Sequence, residues 1–437
     1  MRTAQRTVLP VLLAGQAMAS LDSNIVTVVL PSIQRAYAAD GATVQLIATG
    51  YGLTMGVLIV TGARLGDLLG HRRAFLSGVA GFTAASALCG LAPSVAVLVV
   101  ARVAQAVAGA LLIPQVFSLI QLRFAGRARE RAVGLYAMVL GLCVAVGQLL
   151  GGLVAGADLP GLGWRAVFLI NLPVGLVVLA IGRRTLPVAG GDRSVRLDPA
   201  GVVLLTVAML ALTVPLMLGR QYGWRPWTWI ALLTGAGLLA AFVRHESRTA
   251  FPLLDLRLTL RAGIVPGLVN CCLVSAAYAG LIFSLTLHLQ GELGVGPLGA
   301  GLAFLPYAVG FGGTSLLAHR LPGRHLPAVG TAVFAAAVAV LAAGGGWPGA
   351  WSAPVLLVAS AGHAAGYTPL VARLARRVGP DGASALTALN STGPMLAQAA
   401  AVAVFGGLYL VGGLVWAELA IVATLAVGVR CCLPYPD

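Results

Sequence analysis

The 437-residue chain is 59% hydrophobic and only 9% charged, with a mean hydropathy of +0.94. Ordinary soluble domains carry about 25% charged residues, so a soluble fold is excluded and a polytopic membrane protein is indicated. The formal net charge of +15 comes from 28 basic residues, all arginine, against 13 acids; they lie in short connections between apolar runs, which excludes a nucleic-acid-binding surface and points to loops at a membrane face.

Fourteen apolar segments follow one another at approximately 8–30, 44–66, 74–92, 95–119, 132–156, 165–182, 199–218, 227–243, 264–289, 297–318, 326–343, 353–371, 383–410 and 413–430. Each is near the roughly 20 residues that cross a bilayer as a helix. The predicted fold is therefore an all-α polytopic membrane protein of fourteen transmembrane helices, with no room for a separate soluble domain. Arg2, Arg6 and Ala17-Met18-Ala19 have the look of a signal peptide, but the apolar run continues to Leu30 and reads as an uncleaved first span. With the N-terminus cytoplasmic, 23 of the 28 arginines fall in inner loops and tails. Arg35, Arg165, Arg220 and Arg225 fall outside and Arg102 lies within the fourth span, a bias that places both termini in the cytoplasm. The seventh and eighth spans carry no charge, and Trp224, Trp227 and Trp229 cluster at their outer end as an interfacial belt would. The plan is six, two, six: an N-terminal bundle over 1–182, a lipid-facing two-helix insert with its inner connections over 183–262, and a C-terminal bundle over 263–437. The absence of Lys, with abundant Ala, Gly, Val and Leu, points to a GC-rich bacterial gene and so to a bacterial cell membrane.

In chain order, the first chemistry is Asp22, the sole ionisable side chain between Val8 and Pro31. A carboxylate near the middle of a span costs roughly 2.5–3.5 kcal/mol on insertion scales. Asp22 is therefore either a functional group or a structural carboxylate neutralised by protonation and hydrogen bonds. Between spans two and three stands Gly62-Ala-Arg-Leu-Gly-Asp67-Leu-Leu-Gly70-His-Arg72-Arg73. There Asp67, at a helix end, is placed to pair with arginine across the inner interface as a conformational latch; the alternative is simple loop solvation. Arg102 and Gln105 occupy the fourth span, where an arginine faces protein or water unless it snorkels to the outer interface. The fifth span carries Gly147-Gln148-Leu-Leu-Gly151-Gly152, whose small residues form a flat face for helix contact.

These segments resemble the major facilitator superfamily. The loop at Gly62–Arg73 is similar to its inner-loop motif, with Leu68 and His71 in place of basic residues. Arg102-Val-Ala-Gln105 is similar to its fourth-span motif, and Gly147–Gly152 to its antiporter signature, with Gln148 where proline is usual. Leu21-Asp22-Ser-Asn24-Ile-Val-Thr-Val-Val-Leu-Pro31, Trp164–Gly175, Pro252–Arg257 and Pro297–Gly301 resemble the fourteen-span drug:proton antiporter branch. The resemblance implies a proton-coupled exporter of lipophilic compounds working by alternating access, with Asp22 and Arg102 coupling the proton, and the charge census, with Asp22 nearly alone in the cavity, predicts neutral or monocationic substrates; the alternative is proton-coupled uptake, or dedicated export, of one metabolite. The expected partners are a small lipophilic substrate, protons and the bilayer, for a monomeric chain.

Polar groups in the second half are sparse. Asn270, Tyr278, Tyr307 and Asn390, with Asn24, Tyr51 and Gln105 from the first half, are the candidate substrate-cavity residues. His288 and Gln290 lie near the outer mouth, His363 reads as a hydrogen-bonded core histidine, and Glu418 reads as facing the outer interface. No cofactor is expected. The chain has no Lys, so a G-x-x-x-x-G-K-[ST] nucleotide loop is impossible. No His or Cys pair has metal-ligand spacing, the six cysteines imply no disulfide framework, and no nucleophile–base set points to an enzyme.

Overall fold

The computed structural model describes residues 2–124, 126–156, 162–188, 190–191, 196–219, 222–249, 252–253, 264–317, 325–344, 349, 351–378 and 383–432, and every regular element among them is helical. The first helices are α1 (Arg2–Tyr37), α2 (Gly41–Leu69), α3 (His71–Gly90), α4 (Val95–Arg123) and α5 (Gly126–Gly156). A 3-10 turn at Gly163–Arg165 leads into the short α6 (Ala166–Leu169) and then α7 (Asn171–Thr185), α8 (Pro199–Leu218) and α9 (Pro226–Glu246). Next come α10 (Val265–Leu287), prolonged by a π turn at His288–Glu292, α11 (Pro297–Ala303), α12 (Leu305–Leu317), α13 (Leu326–Ala343), α14 (Ser352–Val378) and α15 (Ala383–Cys432).

Local sequence explains the boundaries. Asp40 accepts the Thr43 amide at 2.7 Å and Ser94 accepts the Val97 amide at 3.4 Å, each satisfying an orphan donor at a helix start. Gly70 alone separates α2 from α3, at φ 89° and ψ 130°, a conformation glycine reaches without a Cβ penalty. Gly413 breaks α15 at φ 74° and ψ −168°. A Cβ on Gly393 would lie 2.8 Å from Cys272 Sγ, and one on Gly428 would lie 2.7 Å from Asn270 Oδ1. Both ends of α15 thus meet the first turns of α10, so the chain doubles back at Gly413.

Eleven stretches among the described residues are long and apolar enough to cross a membrane, and the protein is an all-α, multi-pass membrane protein. That number does not reach the fourteen expected from the sequence. The stretch Thr392–Cys432 runs through Gly413 and holds parts of two apolar segments. Helix α3 opens on His71, Arg72 and Arg73, and α5 begins with three arginines, Arg127, Arg129 and Arg131, and Glu130. The tenth apolar segment is divided at Phe304 between α11 and α12, yet Gly299–Leu317 still counts as one of the eleven stretches.

The chain forms two compact units, Met1–Val202 and Val203–Asp437. In the first, α1 packs on α5, α2 and α3 pack on α4, and α7 packs on α1 and α3. The α2–α4 crossing is close enough that a Cβ on Gly62 would sit 2.0 Å from the Ala110 carbonyl oxygen. In the second, α10 packs on α15, α14 on α12 and α13, and α13 on α15, around a core that includes Leu281, Leu285, Phe334, Val338, Ile421 and Leu425. Helix α9 leaves Trp229, Ile230 and Leu233 exposed, and the Trp224 and Trp229 rings lie 5.6 Å apart.

Candidate functional site

Asp22 lies halfway along α1, in the interior of the first unit and only 1% exposed. Packing of α4 and α7 on α3, and of both on α1, brings four polar side chains together around it. Arg102 Nη1 donates to Asp22 Oδ2, while Asn171 Nδ2 and Gln105 Nε2 donate to Oδ1 at 2.8 and 2.9 Å. Ser86 Oγ ties these donors together, accepting from Gln105 Nε2 at 2.8 Å and Asn171 Nδ2 at 3.2 Å. Gln105 Oε1 closes the ring by accepting Arg102 Nη1 at 2.6 Å. The Arg102 guanidinium carbon lies 4.0 Å from the centroid of the buried Tyr51 ring, within cation–π range, and 5.7 Å from that of Phe168.

Arg102 is 1% exposed, so it does not snorkel. Its charge and that of Asp22 cancel in a pocket where either alone would be expensive. The site is therefore neutral overall with its carboxylate fully engaged. A proton added to Asp22 removes the charge opposite Arg102 but leaves Arg102 with Gln105 Oε1 and the Tyr51 face. Ser86, Asn171 and Phe168 were not among the sequence candidates. The signals available for Asn171 are its place in the Trp164–Gly175 segment and an amide within an otherwise apolar stretch, and Ser86 offers none.

The other first-unit candidates arrange themselves around this network. Gly147 and Gly151 on α5 face α1 beside Asp22: a Cβ on Gly147 would lie 2.8 Å from Asn24 Cβ, and one on Gly151 would lie 2.9 Å from the Ile25 carbonyl oxygen. Gly152 is buried, and the Gln148 side chain lies outside the described residues. Asn24, a candidate cavity residue, packs under Gly147 and donates to the Ser20 carbonyl of its own helix at 2.7 Å.

At the α2–α3 corner His71 takes the place of a basic residue, its Nε2 lying 3.5 Å from Asp67 Oδ1 and its Nδ1 2.8 Å from Gln115 Oε1. Gln115 Nε2 in turn donates to the Gly62 carbonyl at 2.8 Å. Arg72 donates to the Arg183 carbonyl on α7 at 2.5 Å, and Arg73 is exposed. The corner thus links α2, α3, α4 and α7 through polar contacts within the first unit.

In the second unit, Tyr307 Oη and His363 Nδ1 lie 2.8 Å apart. Rings of Tyr278, Phe311, Phe334 and Tyr367 also surround that histidine, Phe334 stacking on it at 5.5 Å and 10°. Asn390 Nδ2 donates to Tyr367 Oη at 3.1 Å. Asn270 instead lies toward the other end of α10 between Gly366 and Thr331, at 3.5 Å from each. His288 and Glu292 pair at 2.8 Å on the π turn, where Tyr409 Oη donates to Glu292 at 2.6 Å. Glu418 departs from expectation. It does not face an interface but is fully buried, because its side of α15 is the side that enters the core with Ala417 and Ile421.

Residues 12–402 match the Major Facilitator Superfamily. The chain is 36% identical over 305 residues to the probable actinorhodin transporter of Streptomyces coelicolor, a match covering 69% of this chain and 53% of that protein. It is 38% identical over 302 residues to the tetracenomycin C resistance and export protein of Streptomyces glaucescens, covering 68% and 55%. These matches take in about half the length of those relatives. The cephamycin export protein CmcT of Amycolatopsis lactamdurans is 34% identical over 388 residues, covering 85% of this chain and 78% of that one. Among solved structures, a POT family transporter in complex with a thioalcohol-conjugated peptide superposes with a TM-score of 0.71 at 15% identity, over 97% of this chain and 94% of that one. The human organic anion transporter MFSD10 gives 0.67 at 15%, over 98% and 99%. With the family match spanning most of the sequence and a relative aligned over 85% of it, the chain belongs to the major facilitator superfamily of membrane transporters.

Proposed function

We propose that this protein is a proton-coupled exporter of lipophilic neutral or monocationic compounds, antibiotics among them, working by alternating access. The observation that carries the reading is the buried Asp22–Arg102 network. In a chain with 13 acids, one is held at the centre of a span, its charge matched by a single arginine that has other places to rest. In this scheme Asp22 takes a proton from outside, which frees Arg102 to lean on Gln105 and Tyr51, and it gives the proton up inside. Arg102 positions and tunes the carboxylate. Substrate and proton compete for stabilisation of the same network, so binding of one helps displace the other. Gly147, Gln148, Gly151 and Gly152 provide the surface on which α1 slides, and Gly62, Asp67, Gly70, Arg72 and Arg73 form the latch. Tyr51, Asn24, Gln105, Asn270, Tyr278, Tyr307 and Asn390 contribute to substrate binding. The arrangement proposed is fourteen spans as six, two and six, over 1–182, 183–262 and 263–437, monomeric, with both termini cytoplasmic in a bacterial plasma membrane.

The relatives are named as antibiotic exporters and resistance proteins, which supports efflux as the direction. All three names attach to a particular antibiotic, which favours dedicated export of one metabolite as the second reading. The test is a susceptibility panel in an efflux-deficient host together with everted vesicles, wild type against Asp22→Asn. A drug exporter confers resistance to several compounds, and in the vesicles drug addition partly collapses the imposed proton gradient; Asp22→Asn loses both. Resistance to no compound moves the reading to a dedicated exporter. An Asp22→Asn protein with wild-type transport and pH dependence removes Asp22 as the proton site.

A further inference from the structure

Within the fourteen apolar segments Asp22 and Glu418 are the only acidic residues. Asp22 is surrounded by donors, whereas Glu418 is buried to 0% and neither of its carboxyl oxygens has a hydrogen-bond partner among the described residues. It stands five residues beyond the break at Gly413, on the face of α15 that carries Ala417, Ile421 and Leu425 into the core with Leu281, Leu285, Val338 and Leu341. The contact of Gly428 with Asn270 and Thr331 fixes the antiparallel register of this half of α15. Ten residues back from Gly428, and ten on from Asn270, the register brings Glu418 to the level of Gly280 on α10, about one helical turn before Ser284. Ser284 is also buried to 0%, and its hydroxyl also has no partner among the described residues. Two orphan polar groups therefore sit about a turn apart along facing helices, where buried polar atoms are ordinarily paired.

The ionisable groups on the surrounding elements do not supply a counter-charge. Helix α10 brings Cys271, Cys272 and Tyr278, and α13 brings none. Helix α14 brings His363, already against Tyr307, and Tyr367, with Arg373, Arg376 and Arg377 toward its C-terminal end. The first half of α15 brings Tyr409, which with His288 is engaged by Glu292 at the π turn. On the second half, Arg430, Cys431 and Cys432 lie three or more turns away, at the far end of α15. Among the described residues an ionised carboxylate here has no cation and no donor to offset its desolvation; Glu418 and Ser284 are not bonded to each other in this conformation, and the neutral acid, which can both donate and accept, is the form able to pair with that hydroxyl.

We propose that Glu418 is a second proton-carrying carboxyl, in the unit that does not hold Asp22, loaded once and discharged once per transport cycle with Ser284 as its hydrogen-bond partner. The proposal rests on the proton-coupled reading above. Loading adds one proton to the carboxylate. Discharge returns it to water when helix movement admits solvent to the site.

The test is infrared difference spectroscopy of the full chain in nanodiscs, cycled across the pH range in which it transports. The neutral-acid carbonyl band of Glu418 should rise and fall with pH, vanish in Glu418→Gln, persist in Asp22→Asn, and shift in frequency in Ser284→Ala. Protons taken up per protein should fall by one in Glu418→Gln. Should Glu418→Gln fold poorly, Glu418→Asp keeps a carboxyl and should move the band. A band untouched by these changes, or one present at every pH, overturns the proposal. The two readings fail separately: if Asp22→Asn keeps wild-type pH-dependent transport, proton coupling through Asp22 falls. If it does not, and the Glu418 band is absent or static, only the second site falls.

Discussion

The central fact at the residue scale is that Asp22 and Arg102 neutralise each other out of reach of solvent. Removing one partner of a buried pair leaves an uncompensated charge and typically costs about 3–5 kcal/mol, whereas replacing both by apolar groups of similar size is often neutral. Asp22→Leu alone should therefore lower the thermal midpoint of the detergent-purified protein markedly. Asp22→Leu with Arg102→Met should recover most of that stability while transporting nothing. Additive losses in this cycle would show that the two residues do not act as a pair. Asn171→Leu removes a donor from Asp22 and from Ser86 at once; leaving buried acceptors short costs about 1–3 kcal/mol, and the same thermal measurement reads it.

Charge is what made this site legible in the sequence. Asp22 and Arg102 stand out because each is expensive in a span, and Gln105 is carried along by its spacing of three from Arg102 on one helix face. Asn171 and Ser86 are neutral, of types common in membrane helices, and acquire meaning only when α3 and α7 fold against α4. Glu418 was misplaced because nearness to a span end says nothing about which side of the helix faces the core. Five residues from Gly413, one side of α15 is exposed, as Trp416 and Leu419 show, and the other is fully buried.

Between elements, small residues set how closely helices approach. The α1–α5 contact runs through Gly147 and Gly151, so α1 has a smooth neighbour beside the turn that carries Asp22. Gly147→Leu would press on Asn24 Cβ and the Leu21 carbonyl, an overpacking that costs about 1–3 kcal/mol. Transport should fall more than folded yield, because the displacement lands one turn from Asp22; equal loss of both would make this contact merely structural. Gly62→Leu is the contrasting case, since its Cβ would meet backbone at 2.0 Å. Backbone cannot rotate away as a side chain can, so this change should abolish folded protein, as judged by size-exclusion recovery. The apolar segments were readable from hydropathy alone. Their subdivisions at Ile170 and Phe304 were not, since a single turn inside an apolar run leaves hydropathy unchanged.

For the whole molecule, the charge moved per cycle distinguishes one proton carrier from two. A membrane potential contributes about 2.3 kcal/mol per elementary charge per 100 mV. If Asp22 alone carries a proton inward while one substrate leaves, export of a neutral compound moves one charge and export of a monocation moves none. If Glu418 is loaded in the same cycle, each value rises by one. Proteoliposomes with the potential clamped by potassium and valinomycin, at fixed proton gradient, read this directly. With one carrier, monocation export is indifferent to the clamped potential and neutral export responds to it. With two, monocation export responds as well, and Glu418→Gln returns it to indifference. Dications should be poor substrates in both cases, because within the apolar segments Asp22 is already matched by Arg102 and Glu418 fits its surroundings as a neutral acid. Strong transport of a dication, driven by the potential, would require a carboxylate pair that the arrangement of these residues does not provide.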